Sequence, residues 1–157
     1  MPSFRGGFLY LAGVAVITAL AGCAQVNDWG LSLVTSKVDA FAIVNNQLLS
    51  GNVYLVPDRT GRVTLGSDPD AARSCAGALR YTAVNGGLID LHCGDGSDGQ
   101  LEFSLVSDTR GYAYGLLANV PVSLVFGMSE QDAPAYLKAP PGRKLLVNEA
   151  DGSLMLK

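Results

Sequence analysis

The sequence predicts a mainly β domain, an antiparallel sandwich or small barrel of about seven to nine short strands with one short helix in its C-terminal half. Three observations predict it. From residue 47 onward, short runs of alternating apolar residues are broken at regular intervals by Gly, Asp, Asn and Pro. The gaps between runs are shorter than the dozen-residue crossover that a parallel pair requires, so neighbours must join as antiparallel hairpins. Two cysteines, Cys75 and Cys93, stand at the outer ends of two consecutive runs, where a hairpin would bring them together.

Taken in order, the expected strands are Leu48–Val56, Arg62–Gly66, Cys75–Thr82, Leu88–Cys93, Leu101–Val106, Tyr112–Leu117 and Val122–Phe126. The breaks between them include Pro57-Asp58-Arg59-Thr60-Gly61, Asn85-Gly86-Gly87, the Gly94–Gly99 segment and Asp108-Thr109-Arg110-Gly111, all rich in turn formers. Residues 31–46 fit a strand or a helix equally well, because Leu31, Leu33, Val34, Val38, Phe41, Ala42 and Val44 satisfy either period. Ser129 followed by Glu130, Gln131 and Asp132 has the form of a helix N-cap with acidic residues in the first turn. That helix would carry Ala133, Ala135, Tyr136 and Leu137 over an open end of the sheet before Pro140-Pro141 stops it. Lys144–Val147 and Ser153–Leu156 around Asp151-Gly152 form a terminal hairpin. Leu55–Gly61 and Leu105–Gly111 echo one another, which shared turn chemistry explains as well as duplication does.

The hairpin around Asn85 contains a conflict of register. Placing Cys75 opposite Cys93 sets Leu79 against Ile89, whereas a two-residue Asn85-Gly86 turn would set Cys93 against Ala78. The disulfide register is preferred, and it calls for a longer loop or a bulge with Gly86 or Gly87 at positive φ. A disulfide closing this loop of 18 residues would contribute roughly 3 kcal/mol in the chain-entropy picture.

The N-terminus supplies a different signal. Arg5 precedes an apolar run from Phe8 to Leu20 that ends at Leu20-Ala21-Gly22-Cys23. The run is too short for a membrane span of about 20 apolar residues and has the charge and small-residue flanks of a secretory signal. Leu-Ala-Gly-Cys resembles the lipobox of bacterial lipoproteins. The resemblance implies lipidation of the Cys23 thiol, cleavage before it and acylation of the new N-terminus. Residues 1–22 would then be a lipoprotein signal peptide, 23–30 a short tether, and 31–157 a single β-rich periplasmic domain. By the same resemblance Ala24, where Asp would favour inner-membrane retention, points to the outer membrane. With Cys23 given to lipid, the even remainder, Cys75 and Cys93, reads as a disulfide of an exported domain.

Loss of Arg5 moves the formal charge from −3 to −4. An acidic surface argues against nucleic acid and against a polybasic membrane role. His92 is the sole histidine, and alternation puts it on the solvent face beside Asp90; there is no Gly-x-Ser-x-Gly motif. No catalytic residue, metal ligand or cofactor is therefore assigned. Asp95 and Asp98 lack the third acid and the closing Glu of an EF-hand loop, so a polar turn is the simpler reading. Tyr112 and Tyr114 share a face, with Tyr81, Tyr54 and Phe126 expected nearby, and are either sheet packing or a binding surface for a partner or glycan.

Cys75-Ala76-Gly77, Cys93-Gly94-Asp95-Gly96 and Phe126-Gly127 resemble small β-rich lipoproteins of proteobacteria over residues 48–137. This resemblance carries no activity and no catalytic residues. The expected function is that of a membrane-anchored envelope lipoprotein, non-enzymatic, with a binding or structural role, a lipid anchor and an envelope protein as partner. The alternative is a periplasmic inhibitor of a lysozyme or protease presenting Ser67-Asp68-Pro69-Asp70 or the Gly94–Gly99 loop.

Overall fold

Each alternating run becomes a strand that pairs antiparallel with the next in the chain. The computed structural model describes residues 35–66 and 73–157. Its eight barrel strands are β1 Ser36–Val44, β2 Gln47–Val56, β3 Thr60–Leu65, β4 Cys75–Ala83, β5 Gly86–Cys93, β6 Asp98–Ser107, β7 Arg110–Leu117 and β8 Val120–Phe126. Pairing of β1 with β8, from Ala40 opposite Phe126 to Ile43 opposite Ser123, closes them into an up-and-down barrel. The ambiguous stretch before residue 47 thus resolves as strand from Ser36, because only an eighth strand can satisfy the free edges of β2 and β8. Leu31, Leu33 and Val34, the Cys23 region and the Ser67–Asp70 loop lie outside the described residues.

The turns explain the closure. Asn45-Asn46 and Ala118-Asn119 have both central residues at positive φ, between 45° and 69°. Two such residues match the right-handed twist of the strands they join, and Asn tolerates the left-handed region better than most side chains. Pro121 lies in β8 opposite Leu116, beyond the four pairs that join β8 to β1, so its missing N–H interrupts no bond to β1.

Alternation sends one face of every strand inward. Val53, Val63, Leu79, Ile89, Leu91, Leu101, Phe103, Leu117, Leu124 and Phe126 fill the barrel axis, each almost wholly buried. Phe103 sits among them with Tyr81 edge-on at 5.1 Å and Phe126 at 6.3 Å. The interior is a packed core, not a chamber. Inward glycines make this density possible. A Cβ on Gly51 would stand 1.9 Å from the Thr64 carbonyl oxygen, and one on Gly87 would stand 2.1 Å from that of Arg80.

The disulfide register is the one adopted. Cys75 faces Cys93, with Cα atoms 4.0 Å apart, and Leu79 faces Ile89. The extra residue is accommodated as a bulge between Tyr81 and Ala83. Neither Gly86 nor Gly87 adopts positive φ, contrary to expectation. Both are glycine for space, since a Cβ at Gly86 would meet the Phe103 carbonyl oxygen at 2.6 Å.

After Gly127 the chain runs along the outside of the barrel and ends in a hairpin, β9 Leu145–Val147 with β10 Leu154–Leu156. Its apolar side chains make a second core. Met128, Ala133, Leu137 and Leu154 pack on the outward-facing Ile43 and Val125. The expected helix shrinks to one 3₁₀ turn, Ala133–Ala135, and it covers the barrel wall instead of an end. Ser129 Oγ accepts from Asp132 N–H at 3.2 Å in the turn that precedes it, but the N-cap of the 3₁₀ turn is Asp132, whose side chain makes no capping bond. The helix stops because Lys138 N–H donates to Ser123 Oγ at 3.0 Å instead of continuing the ladder back to Pro134. A segment this short between prolines cannot repay helix nucleation.

Candidate functional site

Three surface regions carry the chemically interesting side chains. The first is the outer wall of β3 to β6, where outward residues fall in cross-strand rows. One row runs Arg62, Ala78, Asp90, Gln100, and the next runs Thr64, Ala76, His92, Asp98. The small Ala76 and Ala78 leave a shallow trough on β4, walled by Arg62 and Thr64 on one side and by Asp90 and His92 on the other. Gln100 Nε2 donates to Asp90 Oδ1 at 2.6 Å, and this bond lowers the Asp90 carboxyl from its ordinary value near 3.8. Desolvation opposes that shift, while Arg80 and His92 reinforce it. His92 Nδ1 lies 2.7 Å from Asp98 Oδ1, and both side chains are about two-thirds exposed. A carboxylate thus orients the ring, but among the described residues no hydroxyl or thiol nucleophile stands in hydrogen-bond reach of it. Exposed pairs of this kind contribute about 0–1 kcal/mol.

The second region is the rim where the disulfide lies. Val44, Asn45, Gln47, Leu49, Arg73, Cys75, Cys93 and Asp95 line a cleft of about 180 Å³. Asp95 is tied down from several directions: it accepts from Ser97 Oγ at 2.6 Å, from Ser97 N–H at 2.9 Å and from Asn45 Nδ2 at 3.0 Å. The Ser97 bonds above all hold its carboxyl below the ordinary carboxylate value. The Gly94–Gly99 segment is consequently a tight turn, closed by Cys93 N–H to Ser97 O and Gly94 N–H to Ser74 O, with Asp98 and Gly99 already inside β6. Among the described residues no group of three His, Cys, Asp or Glu side chains converges as a metal site would need.

The third region contains Tyr112 and Tyr114. They stand on the outer face of β7, and the C-terminal segment lies against them. Tyr136 stacks on Tyr112 with ring centroids 5.2 Å apart. Tyr114 Oη donates to the Tyr136 carbonyl at 2.6 Å, and Lys138 Nζ sits 3.9 Å from the Tyr114 ring centroid. Burial pushes the Tyr114 hydroxyl above its ordinary value of 10.0, with Tyr112 and Tyr136 adding to the rise. Of the aromatics expected beside them, Tyr81 and Phe126 turn into the barrel core, and Tyr54 lies under Lys37 on β2. Lys138 and the buried Ser123 were not singled out by sequence reasoning, and Tyr136 was expected only as a residue of the short helix. The one available signal was Ser123 itself, a polar residue interrupting the apolar run Val122–Phe126.

No protein-family model, no curated protein and no solved structure matches this chain. The functional reading therefore rests on the sequence, the fold and the surface chemistry.

Proposed function

We propose that this chain is a lipid-anchored envelope lipoprotein whose barrel serves as a non-enzymatic binding or structural module, displayed from the outer membrane into the periplasm. The observation that carries the reading is Leu20-Ala21-Gly22-Cys23 at the end of a short apolar run behind Arg5. The Cys75–Cys93 disulfide supports it, because such bonds persist in exported proteins and are rare in reducing compartments. Barrel chemistry agrees with a tethered domain over a membrane-spanning one. Its interior is apolar and its β3–β6 exterior carries Arg62, Arg80, Asp90, His92 and Glu102, the reverse of a barrel that faces lipid. A filled interior also directs any binding to the outer wall and the rims, in contrast to barrels that hold a ligand in a central cavity.

Mass spectrometry of protein extracted from membranes tests the anchor. The expected product begins at an acylated Cys23, and Cys23→Ser should release the domain or stall its processing. A soluble product cut elsewhere refutes the anchor. A pull-down with envelope proteins and lysozymes tests the binding role; capture of a lysozyme with loss of its activity would move the reading to an inhibitor. Hydrolytic activity that disappears in a folded His92→Ala variant would refute the non-enzymatic reading.

A further inference from the structure

We infer that the groove between the start of β2 and the terminal strand β10 binds an alkyl carboxylate, a fatty-acid-like anion held by Arg143 and Lys157 with its chain over Leu48, Leu49 and Met155. The inference rests on the binding reading above, to which it gives a site and a ligand class, and does not depend on the Cys23 anchor.

Where the C-terminal hairpin lies against the barrel it leaves an open groove of about 690 Å³. That size falls within the range of small-molecule sites, roughly 300–1,000 Å³. Leu48 packs outward on the second core and Leu49 inward on the barrel core, so the groove wraps over the start of β2. Leu156 and Met155 line the opposite side, and the half-buried Met155 packs into neither core. No aromatic ring is among the described lining residues. An aliphatic wall with a thioether suits a flexible chain better than a flat ring.

The groove is cationic as well as apolar. Arg73, Arg143 and Lys157 line it and none of its described lining residues is acidic, although Asp and Glu outnumber Lys and Arg by 14 to 11 in the chain. The cations gather towards the β1–β2 turn. Arg143 Nη1 donates to the Asn46 carbonyl at 3.2 Å, which leaves most of its guanidinium donors for a ligand. Backbone bonds of 2.6 and 2.9 Å between Lys144 and Lys157 bring Lys157 to the same end of the hairpin. Neither Arg143 nor Lys157 forms an ion pair with a described residue. Asp95, in the adjoining rim cleft, is already held by Asn45 and Ser97. A carboxylate at this end takes charge-assisted bonds from two cations, while its alkyl chain covers apolar surface otherwise exposed to water. A neutral amphiphile leaves the cations unanswered. A peptide brings backbone polar groups that the aliphatic side chains of this wall cannot pair.

The test exposes the full chain to a dodecanoate that carries an aliphatic diazirine at mid-chain. After illumination, peptide mass spectrometry locates the adduct. The expected result is saturable labelling at Leu48–Leu49 and Met155–Leu156, displaced by dodecanoate but not by dodecanol or dodecyltrimethylammonium. Arg143→Gln with Lys157→Gln should weaken labelling about tenfold, the effect of losing a charge-assisted hydrogen bond. Both side chains are exposed, so the variant keeps its fold. Lys37→Gln with Arg62→Gln removes the same charge elsewhere and should leave labelling unchanged. Labelling spread over the barrel, displacement by the neutral or cationic amphiphile as readily as by dodecanoate, or equal loss in both double variants overturns the inference. Displacement by an acidic, leucine-rich peptide at lower concentration than dodecanoate also overturns it, in favour of a peptide groove. Capture of an envelope protein in the pull-down without groove labelling removes the fatty-acid site alone, whereas failure of both removes the binding reading as well.

Discussion

The two halves of the barrel wall are built on the same alternation and stabilised by different means. On β7, β8 and β1 the outward positions are largely apolar or aromatic, among them Tyr112, Val125, Phe41 and Ile43, and residues 127–157 cover them with a second core. On β3 to β6 the outward positions are largely charged or small and face water. Among the described residues that open half has no covering layer, and its β4–β5 pair is instead tied by the disulfide at one end. The contrast teaches that a strand's inner face fixes its place in the barrel, while its outer face decides whether more chain must be recruited to cover it.

The largest expected effect tests the interior that both halves share. Phe103→Ala should destabilise by about 3–5 kcal/mol in urea unfolding, because Tyr81 and Phe126 cannot collapse into the vacated volume. A loss well under 1 kcal/mol would mean that the barrel axis is not close-packed. Removing the staple of the open half comes next. Replacing Cys75 and Cys93 together by Ala should cost about 3 kcal/mol, within the range for small secreted domains. Hydrogen exchange should show the loosening concentrated in β4 and β5, and uniform loosening would contradict the division into halves. Gly87→Ala should destabilise by about 1–3 kcal/mol, although alanine ordinarily strengthens a strand, since its Cβ meets the Arg80 carbonyl oxygen and the Phe103 ring. A stabilised variant would show that β4 and β5 can move apart freely.

The smallest effect concerns the open wall's polar surface. Asp90 has a depressed folded-state pKa, so its contribution is present above about 3.8 and is lost as pH falls through the lowered value. Asp90→Asn should therefore lower the urea midpoint slightly at pH 6 and by less at pH 2, which lies below the unfolded-state value on the limb where the contribution declines. An equal loss at both pH values would assign the effect to altered hydrogen bonding instead of charge.

Much of the fold is legible in the sequence. Cys75 opposite Cys93 follows from reading the pair as a disulfide, and Leu79 opposite Ile89 then follows from period-two alternation, which survives any arrangement of strands because it is a property of the pleat. The first strand was not legible, since Val38, Phe41, Ala42 and Val44 satisfy two periods and only the unpaired edges of β2 and β8 choose between them. The candidate surfaces were legible in part. His92 could be placed on the wet face, because its neighbours Leu91 and Cys93 mark the inner one. Tyr112 and Tyr114 could be given a shared face but not a covering, because Tyr136 reaches them across 22 residues of chain.

What the sequence determined by itself is local: strand periodicity, turn positions and the cysteine pairing all depend on residues near one another or on parity alone. What only the tertiary structure decided is long-range. Closure of the barrel, the exchange of an expected helix for one 3₁₀ turn at Ala133–Ala135, and the sorting of outer faces into covered and open depend on which backbone groups and apolar surfaces meet. Those meetings are set by the competition to bury every edge and apolar face at once.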